Sequence, residues 1–168
     1  MSDDTLAQAH VRLRAVEHAD LGVFFEQEHD TEAARRSRFT PRPRDRFMNH
    51  WVTRILGDDA VLVRTVTVDG TAAGHIVAWW EEETEDRRRF IGYWLGRSHW
   101  GRGVGTEALA LFLGEERTRP LHADPFAENT ASVRLLERHG FRKAGTVRHG
   151  EDVHTLLVLQ EPPASPAA

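Results

Sequence analysis

The sequence predicts one domain of the mixed α/β class, and three observations carry that prediction. Strand-like and helix-like segments alternate along the 168 residues, with neither an internal repeat nor a linker between them. The dipeptide Asp69-Gly70 joins two runs rich in β-formers, which is typical of a tight hairpin. A glycine-rich turn at residues 101–105 stands between a strand pattern and a helix pattern. A chain of this length can bury a substantial core.

The composition excludes several classes of protein. The apolar fraction of 40% and the charged fraction of 29% are those of a soluble globular protein. The net charge of −4 excludes a general nucleic-acid-binding surface. The lack of cysteine excludes disulfides and a thiolate nucleophile, and the ten histidines show no metal-binding spacing, so we predict no metal. The acidic first residues and the absence of a membrane-length apolar run predict a cytoplasmic protein without a membrane partner.

The first half of the chain is expected to hold three strands and two helices. A basic stretch at 33–47 contains six arginines, and Pro41 and Pro43 interrupt it, so we interpret it as a loop. A helix with one apolar face begins near its end. The predicted elements of this half are, in order, strand 11–15, a helix through Leu21, Phe24 and Phe25, helix 44–56, and strands 60–68 and 72–81.

The second half continues the alternation. Residues 82–88 set acidic beside basic side chains and predict a solvated hairpin tip. Gly140 is a natural end for the last helix. The tail at 161–168, rich in Pro and Ala, is expected to be disordered, which leaves a domain at 1–160. The predicted elements of this half are strand 89–96, helix 105–118, strand 120–124, a helix that Asn129 opens, and strands 141–148 and 153–160.

The glycine turn has the features of a phosphate site. Glycines let a backbone approach a ligand closely, and the first N–H groups of a helix lack internal partners and attract anions. On spacing alone, a tight turn without a ligand is an equal alternative. The phosphate-loop motif is absent because no Gly-Lys-Ser/Thr follows. The dinucleotide fingerprint fits poorly, since Ala108 stands at its third glycine and Asp124 comes too early for its acid.

Three segments together, at residues 91–95, 100–109 and 128–141, resemble the GCN5-related N-acetyltransferase (GNAT) superfamily, and within it the ribosomal-protein N-terminal acetyltransferases. The order of elements fits from residue 11 to residue 160. The resemblance implies a mixed, mostly antiparallel sheet of seven strands with about four helices on both faces. It also implies that the sheet is splayed in the middle, with acetyl-CoA in the opening.

The resemblance also assigns cofactor contacts. Backbone groups at Leu95 would meet the pantetheine arm and stabilise the oxyanion. Asn129 would reach the pantetheine or the attacking amine, and its alternative role is a helix N-cap. Where the superfamily usually has Gln or Arg, this chain has Trp100, whose indole we expect to pack against the cofactor or the helix, and Arg102 remains as the local cation. The N–H groups expected to hold the pyrophosphate are those of Trp100, Gly101, Arg102, Gly103, Val104, Gly105 and Thr106.

The sequence identifies the catalytic residues less directly than the cofactor contacts. By resemblance to the ribosomal-protein branch, Ser132 would protonate the departing thiolate, and its alternative role is to cap the first turn of its helix. Phe90 stands where family members often place a glutamate base. Glu82, acting through a water, is our candidate for the base, with Glu81, His75 or a water chain to bulk solvent as alternatives.

We therefore expect an acetyl-CoA-dependent N-acetyltransferase that acts on a primary amine, either a protein N-terminus or a small amine, by direct attack in a ternary complex. The alternatives are a non-catalytic acyl-CoA-binding module and a nucleotide-binding regulator. By resemblance, the arginine-rich stretch would cover the acceptor site. Of the consecutive Trp79 and Trp80, one should point outward and line either the acceptor pocket or a homodimer contact.

Overall fold

A computed structural model describes residues 10–82 and 86–161 of the chain. These residues form seven strands and five α-helices. The strands are β1 Val11–Arg14, β2 Leu62–Val68, β3 Thr71–Glu81, β4 Arg88–Leu95, β5 Leu121–Ala123, β6 Arg142–His149 and β7 Asp152–Leu159. The helices are α1 His18–Glu28, α2 Thr31–Ser37, α3 Arg44–Asn49, α4 Val104–Glu115 and α5 Thr130–Arg138. A π-helical turn, His50–Ile55, continues α3.

The seven strands form one sheet in the order β1-β2-β3-β4-β5-β7-β6. Only β4 and β5 run parallel, and every other neighbouring pair is antiparallel. The predicted seven-stranded, mostly antiparallel sheet is therefore confirmed. The hairpin at Asp69-Gly70 is confirmed as well, and both residues adopt the positive φ angles that a tight turn requires.

The sheet opens between β4 and β5. These strands pair only where Arg89 faces Leu121 and Phe90 faces His122. Beyond that point β4 continues to Leu95 with β3 as its partner, whereas β5 ends at Ala123. The carboxyl end of β4 therefore borders a gap on its other side, which is the position where open sheets bind ligands.

Two apolar clusters lie on opposite faces of the sheet and fix the helices there. Ile76 and Ala78 of β3 belong to the larger cluster, which α4 and α5 complete. Val77 lies between them in β3 and packs against the smaller cluster, whose largest members are Phe24 of α1 and Trp51 of the π-helical turn. Because successive side chains of a strand point to opposite faces, helices cover both faces, as predicted.

One local prediction is wrong. The basic stretch 33–47 is not a loop throughout, because residues 31–37 form α2. Asp30 caps this helix by accepting a hydrogen bond from the Ala33 N–H, and Arg38 ends it in the left-handed conformation. The prolines that suggested a loop follow α2, so they do not interrupt it.

Two further predictions lie partly outside the described residues. The hairpin tip at 82–88 includes residues 83–85, and the predicted tail at 161–168 is described only at its first residue. The proposed domain boundaries remain a prediction. In the ranges that the structure does describe, no helix is long and apolar enough to cross a membrane.

Candidate active site

The glycine turn leaves an open row of amides at the start of α4. Gly101 and Gly103 adopt φ angles of +70° and +76°, which side-chain-bearing residues rarely tolerate. The first helical hydrogen bond runs from the Glu107 N–H to the Gly103 carbonyl, at 3.1 Å. The three preceding N–H groups in the helix have no acceptor four residues back, and the helix dipole adds positive potential there. This end of α4 can bind an anion.

A cavity of about 680 Å³, the cofactor cleft, lies between the end of β4, the glycine turn and the start of α5. Arg102, an exposed residue, is not among its lining residues. All the other predicted cofactor residues line the cleft, together with Ser132. They are Leu95, Trp100, Gly101, Gly103, Val104, Gly105, Thr106 and Asn129.

The backbone of β4 offers peptide groups to the cleft. The Gly96 N–H bonds the Ala73 carbonyl of β3, and hydrogen bonding alternates along an antiparallel strand. The peptide groups of Tyr93 and Leu95 therefore point away from β3, toward the gap. The Trp100 indole donates to the Leu95 carbonyl at 3.0 Å, so this tryptophan is tied to the end of β4 and fixes the turn. Its packing against the cofactor remains a prediction.

Asn129 caps α5 and also lines the cofactor cleft, while its contact with the pantetheine or the amine remains a prediction. Its side-chain oxygen accepts from the Ser132 N–H at 3.4 Å and so caps α5. The same oxygen accepts from Nε of Arg36 at 3.2 Å, and both residues line the cofactor cleft. A helix cap that faces a cleft can hold a ligand and its own helix together.

The hydroxyl groups of Tyr93 and Ser132 lie 2.5 Å apart, which the sequence did not reveal. Burial raises the pKa of Tyr93 to about 12, although the hydrogen bond with Ser132 acts in the opposite direction. Tyr93 therefore keeps its proton at physiological pH. The sequence signal was present but weak: Tyr93 is the only tyrosine of the chain, and it shares a strand face with Leu95.

A second cavity of about 920 Å³, the aromatic cavity, lies on the α1 and α3 side. Tyr93 and Trp94 line both cavities, so the two spaces meet at the end of β4. Trp79 and Trp80 are both among its lining residues, but their rings lie on opposite faces of β3, as the alternation along a strand predicts. The Trp79 ring stacks on Phe90, whereas the Trp80 ring lies against Arg87 and Arg89.

The candidate bases line the aromatic cavity, whereas the candidate proton donor, Ser132, lines the cofactor cleft. Glu82 is exposed and lies 3.6 Å from Arg87. Glu81 accepts a hydrogen bond from the Trp79 indole at 3.3 Å. Burial lowers the pKa of His75 to about 3, so its imidazole stays neutral at physiological pH and is a poor proton acceptor.

Glu28 is a second residue that the sequence did not single out. This α1 carboxylate is buried in the wall of the aromatic cavity. It accepts from the backbone N–H of Arg42 at 3.1 Å and from its guanidinium at 3.2 Å. Burial raises the pKa of Glu28, and Arg42 partly offsets that effect. The pair ties α1 to the segment that leads into α3.

The two cavities differ in charge. Among the described residues that line the cofactor cleft, the charged ones are Arg36, Arg134 and Arg138, with no carboxylate. This donor set of amides and arginines fits a diphosphate. The aromatic cavity instead has more carboxylates than cations. Its acids are Glu28, Asp58, Glu81 and Glu82, and its arginines are Arg42 and Arg54. In the described part of the chain, no cluster of His, Asp and Glu could hold a metal ion.

Comparison with known proteins identifies the family. Residues 10–142 match the model of the acetyltransferase (GNAT) domain. The uncharacterized N-acetyltransferase p20 of Bacillus licheniformis is 27% identical over 168 residues, with 92% of each chain covered. Aminoglycoside N(6')-acetyltransferase type 1 of Klebsiella pneumoniae is 33% identical over 81 residues, which cover 45% of this chain and 40% of that protein.

The solved structures agree on the fold. Spermidine N-acetyltransferase from Vibrio cholerae, in complex with CoA and spermine, has a TM-score of 0.73 at 19% identity, covering 90% of this chain and 96% of that one. The family match therefore confirms the predicted superfamily, activity class and cosubstrate, and the solved structure confirms the fold. The chain belongs to the GNAT family of acetyltransferases and is an N-acetyltransferase that uses acetyl-CoA.

Proposed function

We propose that this enzyme acetylates a primary amine of a small, positively charged molecule by direct attack in a ternary complex. The observation that carries the proposal is the meeting of two cavities of opposite charge at Tyr93 and Trp94. The cationic cleft suits the phosphates of acetyl-CoA, and the acidic, aromatic cavity suits an ammonium group. The junction between them is where an amine and a thioester can meet.

The cofactor residues have distinct roles in this proposal. Acetyl-CoA supplies the acetyl group as a thioester. The free amides of Val104, Gly105 and Thr106 bind its diphosphate at the start of α4. The peptide groups of β4 near Leu95 hold the pantetheine and stabilise the negative charge that develops on the carbonyl oxygen. The Asn129 amide faces the same cleft from the start of α5.

Proton transfer completes the reaction. As the new carbon–nitrogen bond forms and the carbon–sulfur bond breaks, the nitrogen loses a proton and the sulfur gains one. Ser132 donates its proton to the sulfur and regains one from solvent, while the protonated Tyr93 hydroxyl, 2.5 Å away, donates a hydrogen bond to the serine oxygen. Glu82, an exposed residue that lines the aromatic cavity, accepts the nitrogen proton through a water, with Glu81 as the alternative base.

The relatives support a small acceptor more than a protein N-terminus. One relative is named as an aminoglycoside acetyltransferase, and one solved structure contains spermine. Aminoglycosides and spermine both carry several amino groups. The excess of carboxylates over arginines in the aromatic cavity matches that chemistry. Membership of the ribosomal-protein branch, like a homodimer, remains a prediction.

Turnover of acetyl-CoA against a panel of amines tests the proposal. The panel contains diamines and aminoglycosides, a neutral-side-chain amino acid ester, and peptides with free N-termini. We expect thiol release to be fastest with the small polycationic amines. Preference for the peptides would contradict the proposed acceptor class. Tight binding of acetyl-CoA without release for any amine would contradict the proposed reaction at this site.

A further inference from the structure

Helix α2 forms part of the wall of the cofactor cleft, and ion pairs hold it at both ends. Asp30, at its N-terminal end, pairs with Arg97, just beyond β4. Arg38, at its C-terminal end, pairs with Asp152 of β7 at 3.1 Å. These contacts join the two halves of the splayed sheet. Within α2 only Ala33 is buried, so this helix has little packing of its own.

Arg36 points from this helix into the cleft. Its Nε donates to Asn129 on one wall, and its guanidinium carbon lies 4.4 Å from the centre of the Trp100 indole on the other. Among the described residues, its two terminal nitrogens have no hydrogen-bond partner. A half-buried guanidinium that is held flat by an aromatic ring, with donors to spare, is well suited to an oxyanion.

The surroundings of Arg36 favour a phosphate as that oxyanion. Trp100 directly precedes the glycine turn that leads to the open amides at the start of α4. No carboxylate of the described residues lines this cleft, so nothing there competes for the guanidinium. Arg102, the cation expected from the sequence, is exposed and lies outside the lining.

We propose that Arg36 is a ligand of the acetyl-CoA diphosphate, and that this contact fixes α2 across the cleft. The diphosphate would then be held from two sides, by the start of α4 and by α2. The chain continues from α2 to Phe39, whose ring packs 5.3 Å from that of Trp94 at the junction of the cavities. Because Phe39 lines the aromatic cavity, fixing α2 would also fix a wall of the proposed acceptor site.

Equilibrium binding of three thioesters to Arg36→Ala tests this role. Acetyl-CoA and acetyl-dephospho-CoA both carry the diphosphate, whereas S-acetylpantetheine does not. We expect the Kd for the first two to rise about tenfold, as for a lost hydrogen bond to a charged group. The Kd for S-acetylpantetheine should not change. Arg36→Lys, which keeps the charge but not the planar stack, should recover part of the affinity.

Arg35→Ala is the matched control. Arg35 is the neighbouring residue, but it is exposed and pairs with Glu32 of its own helix. We expect wild-type affinity for all three thioesters. Circular dichroism and the melting temperature of each variant establish that it has folded.

Any other outcome would overturn the proposal, and each one would point to a different role for Arg36. An equal loss for S-acetylpantetheine would make Arg36 a pantetheine contact or a structural residue. A loss with acetyl-CoA alone would assign it to the 3'-phosphate. Unchanged or tighter binding of acetyl-CoA would show that Arg36 does not hold the cofactor. These measurements need no amine, so they are independent of the proposed acceptor class.

Hydrogen exchange gives a second measurement. A contact limited to Arg36 and the diphosphate would not change it, whereas the fixing of α2 would. In the wild-type enzyme, CoA should slow the exchange of the amides at residues 31–38, and pantetheine should not. In Arg36→Ala that protection should be lost. Protection by CoA that persists in the variant would contradict the proposed fixing of α2.

Discussion

Tyr93 and Ser132 show how much of the site depends on single side chains. Tyr93 is on β4 and Ser132 is on α5, 39 residues later, and their hydroxyl groups share a hydrogen bond. Tyr93 also contacts the Ser132 carbonyl, at 3.3 Å. Ser132 was predicted from the helix motif in which it stands. Its partner was not, because that contact depends on how α5 packs over the open side of β4.

Removing either hydroxyl should slow the reaction without weakening cofactor binding. For Ser132→Ala we expect kcat to fall about 100-fold, the usual contribution of a positioned proton donor. Tyr93→Phe keeps the ring and removes only the oxygen, so we expect a smaller fall, about tenfold, because it acts through Ser132. Steady-state kinetics with acetyl-CoA and the best amine measures both, and the Kd of CoA should stay at its wild-type value.

Ser132→Thr is the control for the proton donor, since it keeps the hydroxyl, and it should retain most of the activity. Wild-type turnover by Ser132→Ala would remove this serine from the mechanism. A large drop in melting temperature for Tyr93→Phe, with kcat unchanged, would make the hydrogen bond purely structural.

The elements differ in how far the sequence predicts them. The glycine turn and α4 were predicted because glycine spacing and a regular apolar repeat coincide there. Helix α2 was missed because it has only one buried residue, Ala33, and therefore no apolar face to recognise. Its cap at Asp30 is a local signal, but its position depends on ion pairs with Arg97 and Asp152, which are distant in sequence.

Helix α1 is held in place by a buried carboxylate at its start. Asp20 accepts two hydrogen bonds from Arg14 of β1, at 2.7 and 2.9 Å, and one from Thr65 of β2 at 2.8 Å. Burial alone would raise the pKa of Asp20, but these bonds, and one from the Glu17 N–H, lower it to about 2. The carboxylate thus connects α1 with two strands.

Asp20→Asn should lower the free energy of unfolding at pH 7 by about 2 kcal/mol, which corresponds to the depressed pKa. Because the folded pKa lies below the unfolded one, the stabilisation is present above about pH 4 and is lost as the pH falls toward 2. The difference between variant and wild type should shrink over that range, as measured by urea denaturation. Asp45→Asn, an exposed acid in the first turn of α3, should change little. A pH-independent difference for Asp20→Asn would contradict this account.

At the scale of the whole molecule, function follows from the splay of the sheet. The short pairing of β4 with β5 opens the cofactor cleft on one side, and the aromatic cavity meets it across Tyr93 and Trp94. The family resemblance predicted the splay. The charge difference between the cavities could not be predicted, because Glu28, Asp58 and Glu81 come from three separate elements or loops.

Because of that charge difference, removing one carboxylate from the aromatic cavity should weaken the binding of cationic acceptors. Asp58 lines the aromatic cavity and also accepts a turn hydrogen bond from the Ala60 N–H, which asparagine can keep. For Asp58→Asn we expect the KM of a polycationic amine to rise about threefold, as for an exposed charge pair, with kcat unchanged. The effect should fade at high salt.

Asp59→Asn is the matched control, because Asp59 is adjacent and exposed but does not line the cavity. Its KM should equal that of the wild type. Equal effects of the two substitutions would mean that the acceptor responds to the net charge of the protein and not to this cavity.

The most direct test of the central claim is a crystal structure with CoA bound. The account predicts that the diphosphate accepts hydrogen bonds, at about 2.7–3.2 Å, from the amides of Val104, Gly105 and Thr106. It also predicts that the sulfur lies beside Ser132, at the junction of the two cavities. A diphosphate bound on another surface, or a start of α4 closed by a protein side chain, would contradict it.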